Sequence, residues 1–198
     1  GFLQGCLIHF AKLQPFIVTL AGLFLMRGLC YIVSIDTITI KNPIYKAISL
    51  YRIHITKNAF ISINVIITLV VLALAIYLAH FTKFGRTVYA IGGNEQSALL
   101  MGLPVGRTKV LVYTLNGFTS ALAGIIFSFY MLSGYGLTGV GLEMDAIASA
   151  VIGGTLLTGG VGSVLGSAVG ALIQGLIQTI IAFQGTLSSW WTKIVVAV

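Results

Sequence analysis

Charge is what this sequence lacks most. Only 8% of its 198 residues are Asp, Glu, Lys or Arg, and just four of them are acidic. A soluble domain carries about 25% charged residues. Apolar residues reach 58% and the mean hydropathy is +1.05. Together these values exclude a disordered chain and argue against an ordinary cytosolic domain. Cysteine is nearly absent. Cys6 and Cys30 lie in apolar surroundings without metal-ligand spacing or a disulfide framework. The three histidines, His9, His54 and His80, are far apart and lack paired acids. No Ser–His–Asp or Cys–His constellation is legible, so neither catalytic nor metal-binding residues are expected. No G-x-x-x-x-G-K-[ST] occurs, so the usual phosphate cradle for ATP is missing from this chain.

What is present are long runs without charge. They span 25 residues between Lys57 and Lys83, 33 between Lys109 and Glu143, and 47 between Asp145 and Lys193. A helix needs about 20 apolar residues to cross a bilayer core of about 30 Å. The first run fits one crossing, and the last is too long for one. The net charge is +7, but the basic residues flank apolar spans. Topology and lipid headgroups explain them better than nucleic acid does. The sequence starts at Gly1 in an apolar stretch and ends within another, without a visible signal peptide. It reads as a fragment of a longer polytopic chain.

Along the chain, residues 1–10 resemble the end of a span, and Pro15 suits the first turn of a second one running to about Ser34, with Arg27 in its middle. Residues 37–40 and 53–56 alternate like a short hairpin outside the membrane. Residues 59–81, 110–132 and 162–183 read as spans. Residues 145–157 are apolar but too short to cross, and Gly159-Gly160 breaks them, which predicts a broken or re-entrant helix. Trp190-Trp191 suits an interfacial belt. The expected fold is all-α: a polytopic membrane bundle with one short broken helix, forming one partial transmembrane domain over 1–198. Residues 36–58 and 82–109 each hold four Lys/Arg and one acid. The positive-inside rule therefore ties between them.

Several motifs admit more than one reading. Gly134 to Gly139 match G-x-G-x-x-G, but no strand precedes them and no acid follows Asp145, so they suit a tight turn better than a dinucleotide. Gly162, Gly166 and Gly170 repeat every four residues, as do Ser120, Gly124 and Ser128. Such stripes let membrane helices approach closely, within one chain, at a subunit seam or at a moving interface. Glu143 and Asp145 are charges beside apolar segments. Asp145 suits a helix cap, and direct contact of either with a solute is the competing reading. Asn116, Gln174 and Gln178 either bond a neighbouring helix or line a polar path. Asn94 is a good N-cap, Glu95 suits a first turn, and Gly102-Leu103-Pro104 ends the short helix they begin. A helix that short is unstable alone. Its Ala98, Leu99, Leu100 and Met101 need cover from the protein itself, from lipid or from another subunit.

These segments carry a resemblance. Thr82 to Arg86, Tyr89 to Glu95, Ala98, Met101 to Val105 and Lys109 resemble the cytoplasmic loop of ribose-type monosaccharide ABC permeases. Glu143 to Ala148, Val151 to Thr155 and Gly159 to Ser163 resemble that family's second signature, and Pro15 to Leu20 with Arg27 to Leu29 an earlier one. Thr155 to Gly160 and Ser188 to Trp191 are closer to the galactofuranose importers within it. Met144 stands where the family commonly has Leu, and the family's earlier helices and last helix are absent. The resemblance implies a multi-pass subunit of the bacterial inner membrane, not an enzyme. It implies coupling residues Gly93, Asn94, Glu95, Ala98 and Gly102 on a cytoplasmic loop, with 36–58 periplasmic. It also implies a separate ATPase that binds ATP and magnesium, a second permease subunit and a periplasmic sugar-binding protein. Other small sugars (ribose, xylose, an autoinducer-like sugar) remain open as solutes. A secondary transporter is the competing class.

Overall fold

The computed structural model describes residues 1–50, 52–56, 59–136 and 138–184. The expected Trp190-Trp191 belt and Ser188-Ser189 lie outside them. Four described helices are long and apolar enough to cross a membrane: 15–33, 63–81, 105–131 and 164–181. The chain divides into two units.

The first unit holds residues 1–73 and 104–139. Here α1 (Phe2–Phe10) and α2 (Pro15–Val33) precede β1 (Ile38–Thr39), α3 (Pro43–Leu50), β2 (Arg52–Thr56) and β3 (Ala59–Ser62). Pro15 opens α2, where its missing N–H leaves nothing unpaired. The helix α4 (Ile63–Phe81) starts four residues later than expected, because residues 59–62 pair with β2. The expected hairpin between 37–40 and 53–56 does not form. β1 pairs with β4 instead, and β2 pairs with the strand that comes next in the chain. A neighbour two residues away closes a smaller loop at lower entropic cost.

The second unit holds residues 74–103 and 140 onward. After α4 come α5 (Lys83–Gly93) and α6 (Glu95–Leu100). The sequence reading makes residues 82–109 a polar connection and does not suggest α5, although the polar and apolar residues of that helix segregate with a helical period. Thr82 makes the corner. Its hydroxyl donates to the Leu78 carbonyl and accepts the Gly85 amide at 3.2 Å, so one side chain ends α4 and starts α5. α7 (Val105–Met131) returns the chain to the first unit and starts five residues before the expected boundary, taking in Arg107 and Lys109. It packs along α1 there. A methyl group on Gly5 would stand 2.9 Å from the Val110 Cα. β4 (Ser133–Gly134) comes after it. The glycines of the G-x-G-x-x-G match keep negative φ, and left-handed residues stand on either side of it, Leu132 (φ 51) and Gly141 (φ 98).

α8 (Leu142–Ile152) and α9 (Val164–Gln184) complete the second unit. α8 is the expected short helix, shifted toward the N-terminus. It breaks at Gly153-Gly154, ahead of Gly159-Gly160. Its 11 residues rise about 16 Å, roughly half a bilayer core. The seam between α8 and α9 is made of main chain. A Cβ on Gly166 would strike the Gly153 carbonyl, one on Gly170 the Ser149 carbonyl, and one on Gly153 the Gly166 carbonyl. The second small stripe differs, since a Cβ on Gly124 would meet no other described segment within 4 Å. Gly162 stands ahead of α9 and meets Thr155 instead.

This seam predicts an asymmetry between neighbouring positions. Gly166→Leu forces α8 and α9 apart, whereas Leu165 is 54% exposed and Leu165→Gly loses packing without creating a clash. Overpacking costs about 1–3 kcal/mol, against roughly 0.5–1 kcal/mol for a helical glycine. Membrane yield should fall for Gly166→Leu and stay near normal for Leu165→Gly. Equal yields would refute the seam.

Candidate functional site

The site starts from Asn94, which belongs to two helices at once. Its amide donates to the Ala90 carbonyl at 3.1 Å and closes α5. Its Oδ1 accepts the Ser97 amide at 2.9 Å and opens α6. Its backbone is extended (φ −156, ψ 109), as an N-cap requires. Glu95 sits in the first turn, where a carboxylate meets the positive end of the helix dipole. At the other end Gly102 is left-handed (φ 75). The Gly102 amide donates to Leu99 and the Leu103 amide to Ala98, at 3.0 and 3.1 Å. This pair of bonds is a Schellman motif, and it satisfies carbonyls the short helix would leave orphaned. Pro104 then prevents continuation. Both ends of a six-residue helix are thus closed by its own sequence.

α6 splits its apolar residues. Ala98 is fully buried, while Leu99, Leu100 and Met101 are 63%, 87% and 67% exposed. Of the three covers left open by the sequence, this chain covers only the smallest side chain. Gly93, Asn94, Glu95 and Gly102 all lie on the exposed surface around that helix. The five residues that the resemblance implies for coupling thus flank or lie in α6, within the second unit.

The polar residues of the spans divide differently. Gln174 on α9 is 3% exposed. Its Nε2 donates to the Asp145 Oδ1 at 3.0 Å, and its Oε1 accepts from the Ser149 hydroxyl. Asp145 lies inside α8 and does not cap it. Its carboxylate is turned to α9, so the capping expected of it is corrected. Glu143 takes the end of the helix instead, with Oε2 accepting the Gly141 amide at 3.1 Å. Ser149 was missed by the sequence reading. Its spacing of four from Asp145 and from Gly153 was the available signal, since it repeats the spacing of Gly166 and Gly170. Gln178 is exposed and lines an open groove with Gly175, Thr179 and Phe183. In the first unit, Asn116 is exposed on α7. Asp145 and Gln174 are brought together within the second unit.

Comparison with known proteins bears on this arrangement. The family described as branched-chain amino acid transport system / permease component matches residues 1–198. The inner membrane ABC transporter permease protein YjfF of Escherichia coli (strain K12) is 52% identical over all of this chain and 60% of its own length. The fructose import permease protein FruG of Bifidobacterium longum is 41% identical over 98% of this chain and 59% of its own. The ribose import permease protein RbsC of Bacillus subtilis is 39% identical over 93% of this chain and 57% of its own. The chain thus spans about three fifths of the length of these relatives. No solved structure matches it significantly.

The Asp145–Gln174 bond joins two helices within an apolar segment, where such bonds contribute roughly 0.6 kcal/mol on average and up to about 1.7. Gln174→Leu should lower the melting temperature of the full-length protein in detergent by roughly 2 °C. Gln178→Leu, at an exposed position, should leave it unchanged. The reverse order would remove the buried network from the seam.

Proposed function

The chain belongs to the family of branched-chain amino acid transport system / permease components, and on that premise we propose that it is the membrane-spanning part of a bacterial inner-membrane ABC importer for a monosaccharide. The observation that carries this reading is α6: a helix closed at both ends that presents Leu99, Leu100 and Met101 uncovered, between apolar spans. Such a surface suits a partner subunit. The names of the relatives, an inner membrane ABC transporter permease and import permeases for fructose and ribose, support the sugar reading over an amino-acid one. Galactofuranose is the proposed solute, on the resemblance of residues 155–160. The relatives named for ribose and fructose make those sugars the competitors.

In this reading residues 82–109 face the cytoplasm and 36–58 the periplasm. A cytoplasmic ATPase holds α6 through Gly93, Asn94, Glu95, Ala98 and Gly102. That ATPase binds ATP and magnesium, and this chain supplies no cofactor. A periplasmic sugar-binding protein delivers the solute, and a second permease subunit completes the path. Exposed polar groups, Asn116 and Gln178, are the proposed solute contacts. Glu143, Asp145 and Gln174 are already engaged with main chain or with each other, and act on the path through the helices they hold.

Two experiments test the assignment. With Cys6 and Cys30 replaced by Ser, Ser97→Cys should react with an impermeant thiol reagent only after spheroplasts are lysed. Labelling without lysis overturns the topology. The double variant Asn94→Ala, Glu95→Lys should insert normally but bind the ATPase less well. Loss of the cap is worth about 1 kcal/mol, roughly a fivefold change in helix population, and the charge reversal opposes the helix dipole. Uptake of labelled galactofuranose should fall accordingly, with unlabelled ribose and fructose as competitors. Unchanged uptake with unchanged ATPase pull-down would remove the coupling assignment.

A further inference from the structure

The end of α5 rests directly on the turn that leads into α9, and nothing but main chain lies between them. A Cβ on Gly92 would stand 2.6 Å from the Gly160 amide nitrogen. One on Gly159 would stand 2.6 Å from the Gly92 carbonyl oxygen, and one on Gly160 2.8 Å from the Gly93 Cα. Gly159 and Gly160 are both left-handed (φ 92 and 78), so the turn itself depends on glycine. A second tie runs beside this contact. The Tyr89 hydroxyl donates to the Gly162 carbonyl at 3.1 Å, and the Tyr89 ring stacks on His80 with centroids 6.2 Å apart.

The turn is itself closed. The Leu156 amide donates to Val161, and the Gly159 amide to Leu156, both at 3.0 Å. Two residues past Gly162 the chain enters α9, which is joined to α8 by the glycine seam and by Asp145, Ser149 and Gln174. At the other side Asn94 ties α5 to α6. A close-packed contact without side chains has no soft layer to absorb a displacement, so backbone moved on one side must move backbone on the other.

We propose that Gly92 and Tyr89, against Gly159, Gly160 and Gly162, form the link through which a movement of α6 reaches α8 and α9. This rests on the importer reading in naming the ATPase as the source of that movement. The link itself is a property of this chain. Gly92, Gly159, Gly160 and Tyr89 are positioning residues: they touch neither solute nor nucleotide and act through the helices they join.

The test separates the two claims. Hydrogen exchange is followed on the full-length permease in lipid nanodiscs without ATPase. Asn94→Ala loosens the junction of α5 and α6, and Tyr89→Phe removes only the hydroxyl. Each should speed exchange of the Leu156 and Gly159 amides by about fivefold. A change confined to residues 90–101 in Asn94→Ala, or none at all in Tyr89→Phe, overturns the link whatever the importer does. In the assembled transporter, Gly92→Ala should keep ATP hydrolysis while sugar moved per ATP falls by about tenfold. Gly124→Ala, whose added Cβ meets no other described segment within 4 Å, should match wild type. Equal sugar per ATP in Gly92→Ala and Gly124→Ala also overturns the link. If Gly92→Ala does not assemble, the ratio for Tyr89→Phe decides, with a reduced ratio supporting the link and a wild-type ratio overturning it. A wild-type complex without ATP-driven uptake counts against the importer reading alone, because the exchange arm needs no nucleotide.

Discussion

Inside hydrocarbon a peptide group has no water to bond, and each unsatisfied group costs several kcal/mol. Every segment that enters must therefore close its own main-chain hydrogen bonds. The four long helices do so by length. The short elements α5 and α6, outside the bilayer in the proposed topology, are closed by shared caps as well. Thr82 serves α4 and α5, Asn94 serves α5 and α6, and Gly102 with Leu103 closes the far end of α6. Where α8 stops after 11 residues, the turn at 153–162 folds its amides back on itself. The same demand explains why Glu143, Asp145, Ser149 and Gln174 are spent on main chain or on one another.

With hydrogen bonding settled locally, what remains to hold the second unit together is contact. Lipid tails are as apolar as leucine, so burying leucine between helices gains little there. Close approach of main chains gains more, and it requires residues without side chains. The seam of Gly153, Gly166 and Gly170 and the contact of Gly92 with Gly159 and Gly160 arise from that need. They leave the large apolar side chains facing outward, which is why Leu165, Leu172 and Leu176 of α9 are all more than half exposed.

Much of this was legible in the residues. Charge-free runs locate spans because a bilayer tolerates few charges, and Asn94, Gly102 and Pro104 locate α6 because caps act within a few residues. The errors fell where the deciding partner is distant. Nothing local distinguishes residues 37–40 as the partner of 133–134. The polarity of Lys83 and Arg86 concealed α5, whose buried residues are the unremarkable Gly85 and Thr87. Asp145 reads locally as a cap, and only Gln174, 29 positions on, gives its carboxylate another use. The capping residues of α6 lie close together in sequence and so could be read together, whereas the ties from Tyr89 and Gly92 to residues 159–162 join segments some seventy positions apart.

The glycine seam also limits how this protein can vary. In an ordinary core, a residue that grows is accommodated by a neighbour that shrinks, and pairs of such swaps let a fold drift through sequence space. At Gly153, Gly166 and Gly170 there is no smaller residue to begin from, and what each faces is a carbonyl that every amino acid carries alike. No exchange of side chains can restore the lost room. Variation there can proceed only by moving or lengthening the chain itself, so this joint should change in discrete steps of backbone length and not by gradual exchange of side chains.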